Sequence, residues 1–345
     1  MIQITGKDIC LETAYNKVVD FLGVKDTVTT KYMRQNEIFA DAFNYFVYDG
    51  DQVIRPESLK ELDTREIDVP YGGEKSAGQP VQKTRDVIKS VVAMMDQSTA
   101  YLLLAIENQS NIHYAMPVRN MVYDGLQYAK QVEDAVASHK LSGDYKGVSS
   151  DEYLSGFMKK DYLLPVVTLV VYFDSKEWDG PLSIHEMFSG QDTKVLALVP
   201  NYEVNLIAPA SIKDEDLGKF RSSLKEVLSF IKYARDKDGL RKILDTDESF
   251  RHLGREEVDV LNACVGAKIA VKEGEEAIDV CLAIEQMNEE AAQKAAKKAA
   301  QEERISTLLF SIKNLMEKMG WSVEQAMDVL NVSDSDRKVL RQLLK

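Results

Sequence analysis

At 345 residues, with 45% hydrophobic and 29% charged residues, the chain can bury a substantial core, and one large domain with a smaller appendage is expected. Its formal net charge is −13; residues 288–345 hold nine acids against ten bases, so residues 1–287 carry −14. That balance disfavours a plain nucleic-acid binder, because Lys and Arg supply most non-specific affinity for phosphate, unless part of the acid serves a bound cation. The three cysteines, Cys10, Cys264 and Cys281, form no C-x-x-C pair and suggest neither a zinc site nor a disulfide framework. No secretory leader is read at the N-terminus and the most apolar stretch, residues 163–173, is too short to cross a bilayer as a helix, so a soluble, cytoplasmic protein without membrane partners is expected.

Over residues 13–22 and 30–47 apolar side chains recur at three- and four-residue spacing, as in Ile38, Phe39, Ala42, Phe43 and Phe46, which predicts amphipathic helices. Asp49-Gly50 marks a turn. Pro56 and the alternation of Ile67, Val69 and Tyr71 predict loop and short strand, followed by a break through Gly72, Gly73, Gly78 and Pro80. Residues 86–93 and 100–106 are two apolar strands joined by a polar turn through Asp96, Gln97 and Ser98. Helical spacing returns over 116–136, and 139–150 is a polar loop. The β-branched run 165–173 suits a fully buried strand, 205–208 is a shorter one, and helix resumes over 217–234.

This order predicts an α/β fold with a mixed central sheet flanked by helices over residues 1–250. Beyond Gly254 an all-helical region is expected: an extension over 251–304, which includes a low-complexity Ala, Lys, Glu and Gln run at 289–304, and a small module over 305–345. Ser322 with Gln325 and Ser333 with Asp336 have capping-box spacing or a near relative of it and place helix starts there. A packing or dimerisation appendage is the preferred reading of that module, DNA binding or protein contact the alternative.

Two acids carry the candidate chemistry. Asp86 begins one strand, Glu107 ends the next, and two carboxylates converging at one sheet edge make a hard-oxygen site for Mg²⁺ or Mn²⁺. Phosphodiester hydrolysis uses such an ion to activate water and neutralise developing charge. Other signals fail: Gly72-Gly-Glu-Lys-Ser76 has Glu74 where a phosphate loop needs glycine, no G-x-S-x-G elbow is present, and His113, His139, His185 and His252 lack metal-ligand spacing. His113 is read as a loop residue, and the sequon at Asn108 as meaningless in a cytosolic protein.

An Arg85-Asp86 pair, an apolar strand Tyr101-Leu102-Leu103-Leu104 running into Glu107-Asn108-Gln109-Ser110, then Met116-Pro117 and a helix occur in order with Asn36-Glu37-Ile38-Phe39, Leu164-Pro165-Val166-Val167, Trp178 and Pro181-Leu182-Ser183. This arrangement, spanning roughly residues 30–240, resembles the recombination-promoting nuclease family, also called YhgA-like transposases. The resemblance implies a restriction-endonuclease-like fold of the PD-(D/E)XK superfamily and a metal-dependent DNA endonuclease that promotes recombination or acts in mobile-element or defence biology. It also implies Asp86 and Glu107 as catalytic metal ligands, Glu37 as a further acid reaching the Mg²⁺ or Mn²⁺ directly or through water, and Gln109 in the place where the superfamily usually has lysine. An amide cannot act as a general base, so Gln109 would orient the water. Lys83 and Arg85 are candidate phosphate contacts and Gln127 and Tyr128 follow on the next helix; ordinary surface or packing roles are the better account of these four. The competing function is a weak or inactive nuclease fold that binds DNA or protein; strand transfer by a true transposase rests only on the family's older name. A homodimer through the helical C-terminal region would supply two sites for the two strands of a duplex.

Overall fold

The computed structural model describes residues 24–62, 65–66, 83–84, 86–95, 98–190, 192–272 and 274–344. The helix expected over 13–22, the alternation at 67–71 and the glycine-rich break lie outside them. The chain divides into two compact units, Met1–Val280 and Cys281–Lys345.

In the first unit, helix α1 (24–33) and α2 (Asn36–Tyr48) precede a 3-10 turn at Pro56–Ser58 and strand β1 (Lys60–Glu61). Then come β2 (Arg65–Glu66), β3 (Lys83–Thr84), β4 (Val87–Met95), β5 (Ser98–Gln109), α3 (Met116–Ser142), α4 (Ser150–Ser155), β6 (Val166–Tyr172), α5 (Thr193–Leu196), β7 (Asn205–Ile207), α6 (Asp214–Leu217), α7 (Leu224–Tyr233), α8 (Lys237–Thr246) and α9 (Arg255–Val265). The main sheet has the order β1-β4-β5-β6-β7, while β2 and β3 pair separately. β4 runs antiparallel to β1 and β5, and β6 parallel to β5 and β7, so the sheet is mixed as expected. Parallel β5 and β6 need a long crossover, and α3 supplies it.

Helix α3 lies along β6 through three polar anchors. Tyr128 Oη accepts the Val166 N–H at 3.1 Å, Gln131 exchanges two hydrogen bonds with the Leu164 backbone, and buried Asp124 accepts from Thr168 Oγ1 at 2.5 Å and from the Tyr202 hydroxyl. Tyr128 therefore has a packing role. The rest of β6 is buried by apolar contact: Leu169, Val170, Val171, Tyr172 and the following Phe173 are all inside.

The helix expected over 30–47 breaks at Arg34-Gln35, and the cause lies far away in sequence. Lys89 of β4 is fully buried and its Nζ donates to the Arg34 carbonyl at 2.6 Å and to Asn36 Oδ1, fixing the chain reversal to the sheet. The expected turn after α2 is present at Asp49 (φ 54°) and Gly50 (φ 95°). A Cβ on Gly50 would lie 2.9 Å from Lys219 Cβ, so close approach as well as φ requires glycine there.

The helix expected over 217–234 is also divided. Between α6 and α7 the backbone turns onto buried Asp41 of α2, whose carboxylate accepts from the Arg221 and Ser222 N–H groups at 2.8–2.9 Å and from Ser222 Oγ at 2.6 Å. Residues 251–280, placed by sequence in a helical extension, belong to the first unit: α9 packs on α7, Val258, Val260 and Leu261 are buried, and Leu253 bridges to Ile278.

The second unit holds α10 (Val280–Met319) beyond its first residue, α11 (Val323–Val329) and α12 (Asp334–Leu343). Its core is Ile312, Ala326, Met327, Val332 and Leu340. The capping box at Ser322 and Gln325 is formed, and Ser333 Oγ caps α12 by accepting the Asp336 N–H. Among the described residues no helix is long and apolar enough to cross a membrane.

Candidate active site

The antiparallel register of β4 and β5 pairs Val87 with Ile106; one step outward sets Asp86 across from Glu107. Directly opposed residues share a sheet face. The two acids singled out in the sequence are therefore brought together at the C-terminal end of β5. Asp86 Oδ2 accepts the Asn108 N–H at 2.7 Å, which pins the strand start to its neighbour. Burial pushes the Asp86 carboxyl above its ordinary 3.8, opposed by the Asn108 N–H and the nearby Arg119 guanidinium.

Glu107 is 0% exposed and its carboxylate forms an ion pair with Arg119 at 2.9 Å. Arg119 stands in the first turn of α3, 29% exposed, with its guanidinium 5.5 Å from the Tyr123 ring centroid. Above this pair opens a cavity of about 190 Å³ lined by Asp26, Asp86, Asn108, Gln109, Ser110 and Arg119, with residues 111–113 at its rim. Asp26 of α1 accepts from Ser110 Oγ at 2.9 Å, so α1 contributes to the cavity wall.

Gln109 is buried against the strand end, its Nε2 donating to the Asn108 carbonyl at 3.0 Å, and it lines the cavity together with Asp86. Glu37 does not join them. It is an exposed residue in the first turn of α2, beside a separate surface depression with Arg34, Asn36 and Pro56, where its charge complements the helix N-terminus. The break at Arg34-Gln35 puts Asp26, not Glu37, beside the strand acids. Lys83 and Arg85 side chains lie outside the described residues, and Gln127 is buried on α3.

Among the described residues no group of three or more His, Cys, Asp and Glu side chains is placed to hold a metal ion, so what the cavity offers is two carboxylates and one amide oxygen. Besides the carboxylates of Asp86 and Asp26, the buried Asn108 Oδ1 has no hydrogen-bond partner among the described residues. Carboxylate and carbonyl oxygens are the ligands Mg²⁺ and Mn²⁺ prefer. Asn108 is 5% exposed, which also excludes its sequon from glycosylation.

Three contributors escape a reading of the sequence. Asn108 falls inside the motif but has no acid to advertise it; Asp26 precedes the stretch read as helix and meets Ser110 across 84 positions. Arg119 carries the clearest signal, a cation four residues into a helix that directly follows the acid-ended strand.

Fold and site together define a mixed α/β protein with acids gathered at the end of an antiparallel strand pair, beside a crossover helix. The chain belongs to the family described as "Putative transposase, YhgA-like", whose model matches residues 82–258, just over half its length and the part that holds β4, β5, α3 and β6. No curated protein and no solved structure matches the chain.

Proposed function

We propose that this protein is a metal-dependent DNA endonuclease with a restriction-endonuclease-like fold of the PD-(D/E)XK superfamily. The observation that carries the reading is the register that opposes Asp86 to Glu107 beside a cavity of hard oxygens, in a member of a transposase-like family. Asp86 and Glu107 would hold Mg²⁺ or Mn²⁺, with Asp26 and Asn108 Oδ1 as the nearest further oxygens. A divalent cation there would lower the pKa of an attacking water and neutralise charge on the phosphate. The Gln109 amide sits at the cavity wall, where it can orient water by hydrogen bonding but not take its proton, so turnover is slow.

The test is nicking of supercoiled plasmid with Mg²⁺ or Mn²⁺. Wild type nicks, while Asp86→Asn and Glu107→Gln, both close in shape to the native side chains, do not. The ion pair of Arg119 on Glu107 favours one competing reading, a nuclease-like fold that binds DNA without cutting it. Duplex binding with no nicking by wild type under either metal would select that reading.

A further inference from the structure

We infer that Arg119 is the residue that takes hold of the phosphodiester in this site, supplying the fixed positive charge that Gln109 does not; the inference rests on the nuclease reading above. Two carboxylates, Asp26 and Asp86, line the cavity, and a phosphate approaching them is repelled unless a cation faces it. Among the described residues lining the cavity, Arg119 is the one with a permanent positive charge.

Its mounting suits the task. A guanidinium presents five N–H donors in a rigid plane. One amino group of Arg119 is spent on Glu107 and another donor on Tyr123, whose ring centroid lies 5.5 Å from the guanidinium; the side chain lines the cavity and is 29% exposed, whereas Glu107 is fully buried. Glu107 thus fixes the fork from beneath, leaving an edge for the non-bridging oxygens of a phosphodiester, the bidentate geometry arginine favours. Its place in the sequence points the same way. A cation in the first turn of a helix opposes the helix dipole, and α3 has no acid of its own in that turn to compensate. A residue that served only to cover the helix end would not be basic.

The alternative is a purely structural counter-ion for Glu107, and the two make different predictions. The full-length protein is titrated with a short fluorescein-labelled duplex in Ca²⁺ over a salt series, read by anisotropy. Arg119→Gln is expected to weaken binding about tenfold and to lower the slope of log K against log salt by about one, while Arg119→Lys keeps the slope. Because Arg119→Gln leaves a buried carboxylate behind, Glu107→Gln is compared with Glu107→Gln/Arg119→Gln, which differ only in the arginine; the same loss of about one in slope is expected.

An unchanged slope in both comparisons overturns the inference, whatever happens to the melting temperature. Nicking by wild type with unchanged slopes would overturn it and leave the nuclease reading intact. A reduced slope without nicking by wild type would keep Arg119 as a phosphate contact and end the nuclease reading, and a wild type that binds no duplex would end both.

Discussion

Two buried acids in the first unit are held in opposite ways. Asp41, between α2 and the turn into α7, is met by two backbone N–H groups and a hydroxyl, all from residues 221–222. Glu107, at the end of β5, is met by the Arg119 guanidinium, a side chain reaching in from α3. Backbone donors cannot leave without unravelling the turn, so Asp41 is a clamp. A side-chain cation can be traded for another cation, so Glu107 belongs to a site whose charge balance is open to change.

The contrast breaks most sharply on stability. Asp41→Ala strands three donors in a buried turn and is expected to cost about 3–5 kcal/mol. Amide hydrogen exchange across α2 and α7 reads it locally. Arg119→Ala is expected to cost less, about 2 kcal/mol, because the arginine is itself partly solvated although the acid beneath it is not. Replacing both members, Glu107→Gln/Arg119→Gln, should return stability to within about 1 kcal/mol of wild type, since a neutral pair needs no counter-ion. If Arg119→Ala cost more than Asp41→Ala, Glu107 would be as much a clamp as Asp41, and the distinction drawn between them would fail.

How much of this is legible in the sequence follows from how far each determinant lies along the chain. The β4–β5 pair, with an acid at its open end, is readable because strand runs and their turn are local; so is the buried β6, whose β-branched run needs no partner to be recognised. The capping serines of the second unit are readable for the same reason. What escapes is long-range. The apolar stripe over 30–47 reads as one uninterrupted helix, but Lys89, 55 positions from Arg34, breaks it and thereby decides that Asp26 and not Glu37 faces the strand acids. Asp41 likewise divides the expected helix at 217–234 from 180 positions away. Residues 251–280 read as helical extension because periodicity says nothing about which unit a helix packs against.

A smaller effect separates Asp86 from both other acids. Its carboxyl is raised above the ordinary 3.8 mainly by burial, so between that value and its higher folded value the native state binds more protons than the unfolded chain. Stability contributed at this residue is therefore lost as pH rises through that window, the reverse of a salt-bridged acid. Urea midpoints of wild type and Asp86→Asn should agree at the acid side of the window and separate as pH rises, with the variant the more stable at neutral pH. A wild type that gained on the variant with rising pH would mean that the Asn108 N–H and Arg119 outweigh desolvation.

The least costly change tests whether burial, rather than the number of hydrogen bonds, sets the size of these effects. At the start of α11, Ser322 Oγ accepts the Gln325 N–H at 3.3 Å and Gln325 Oε1 accepts the Ser322 N–H at 2.9 Å, two bonds that rival in number those of many buried acids. Unlike the Asp41 turn, this cap lies at the surface, so water can replace whatever the side chain gives up. Ser322→Ala is expected to cost about 1 kcal/mol, confined to the second unit, whose buried Met327 and Ala326 follow on the same helix. Exchange of the α11 amides should quicken about fivefold with α7 unaffected. A loss at Ser322 equal to that at Asp41 would show that shielding from water does not set the size of these effects.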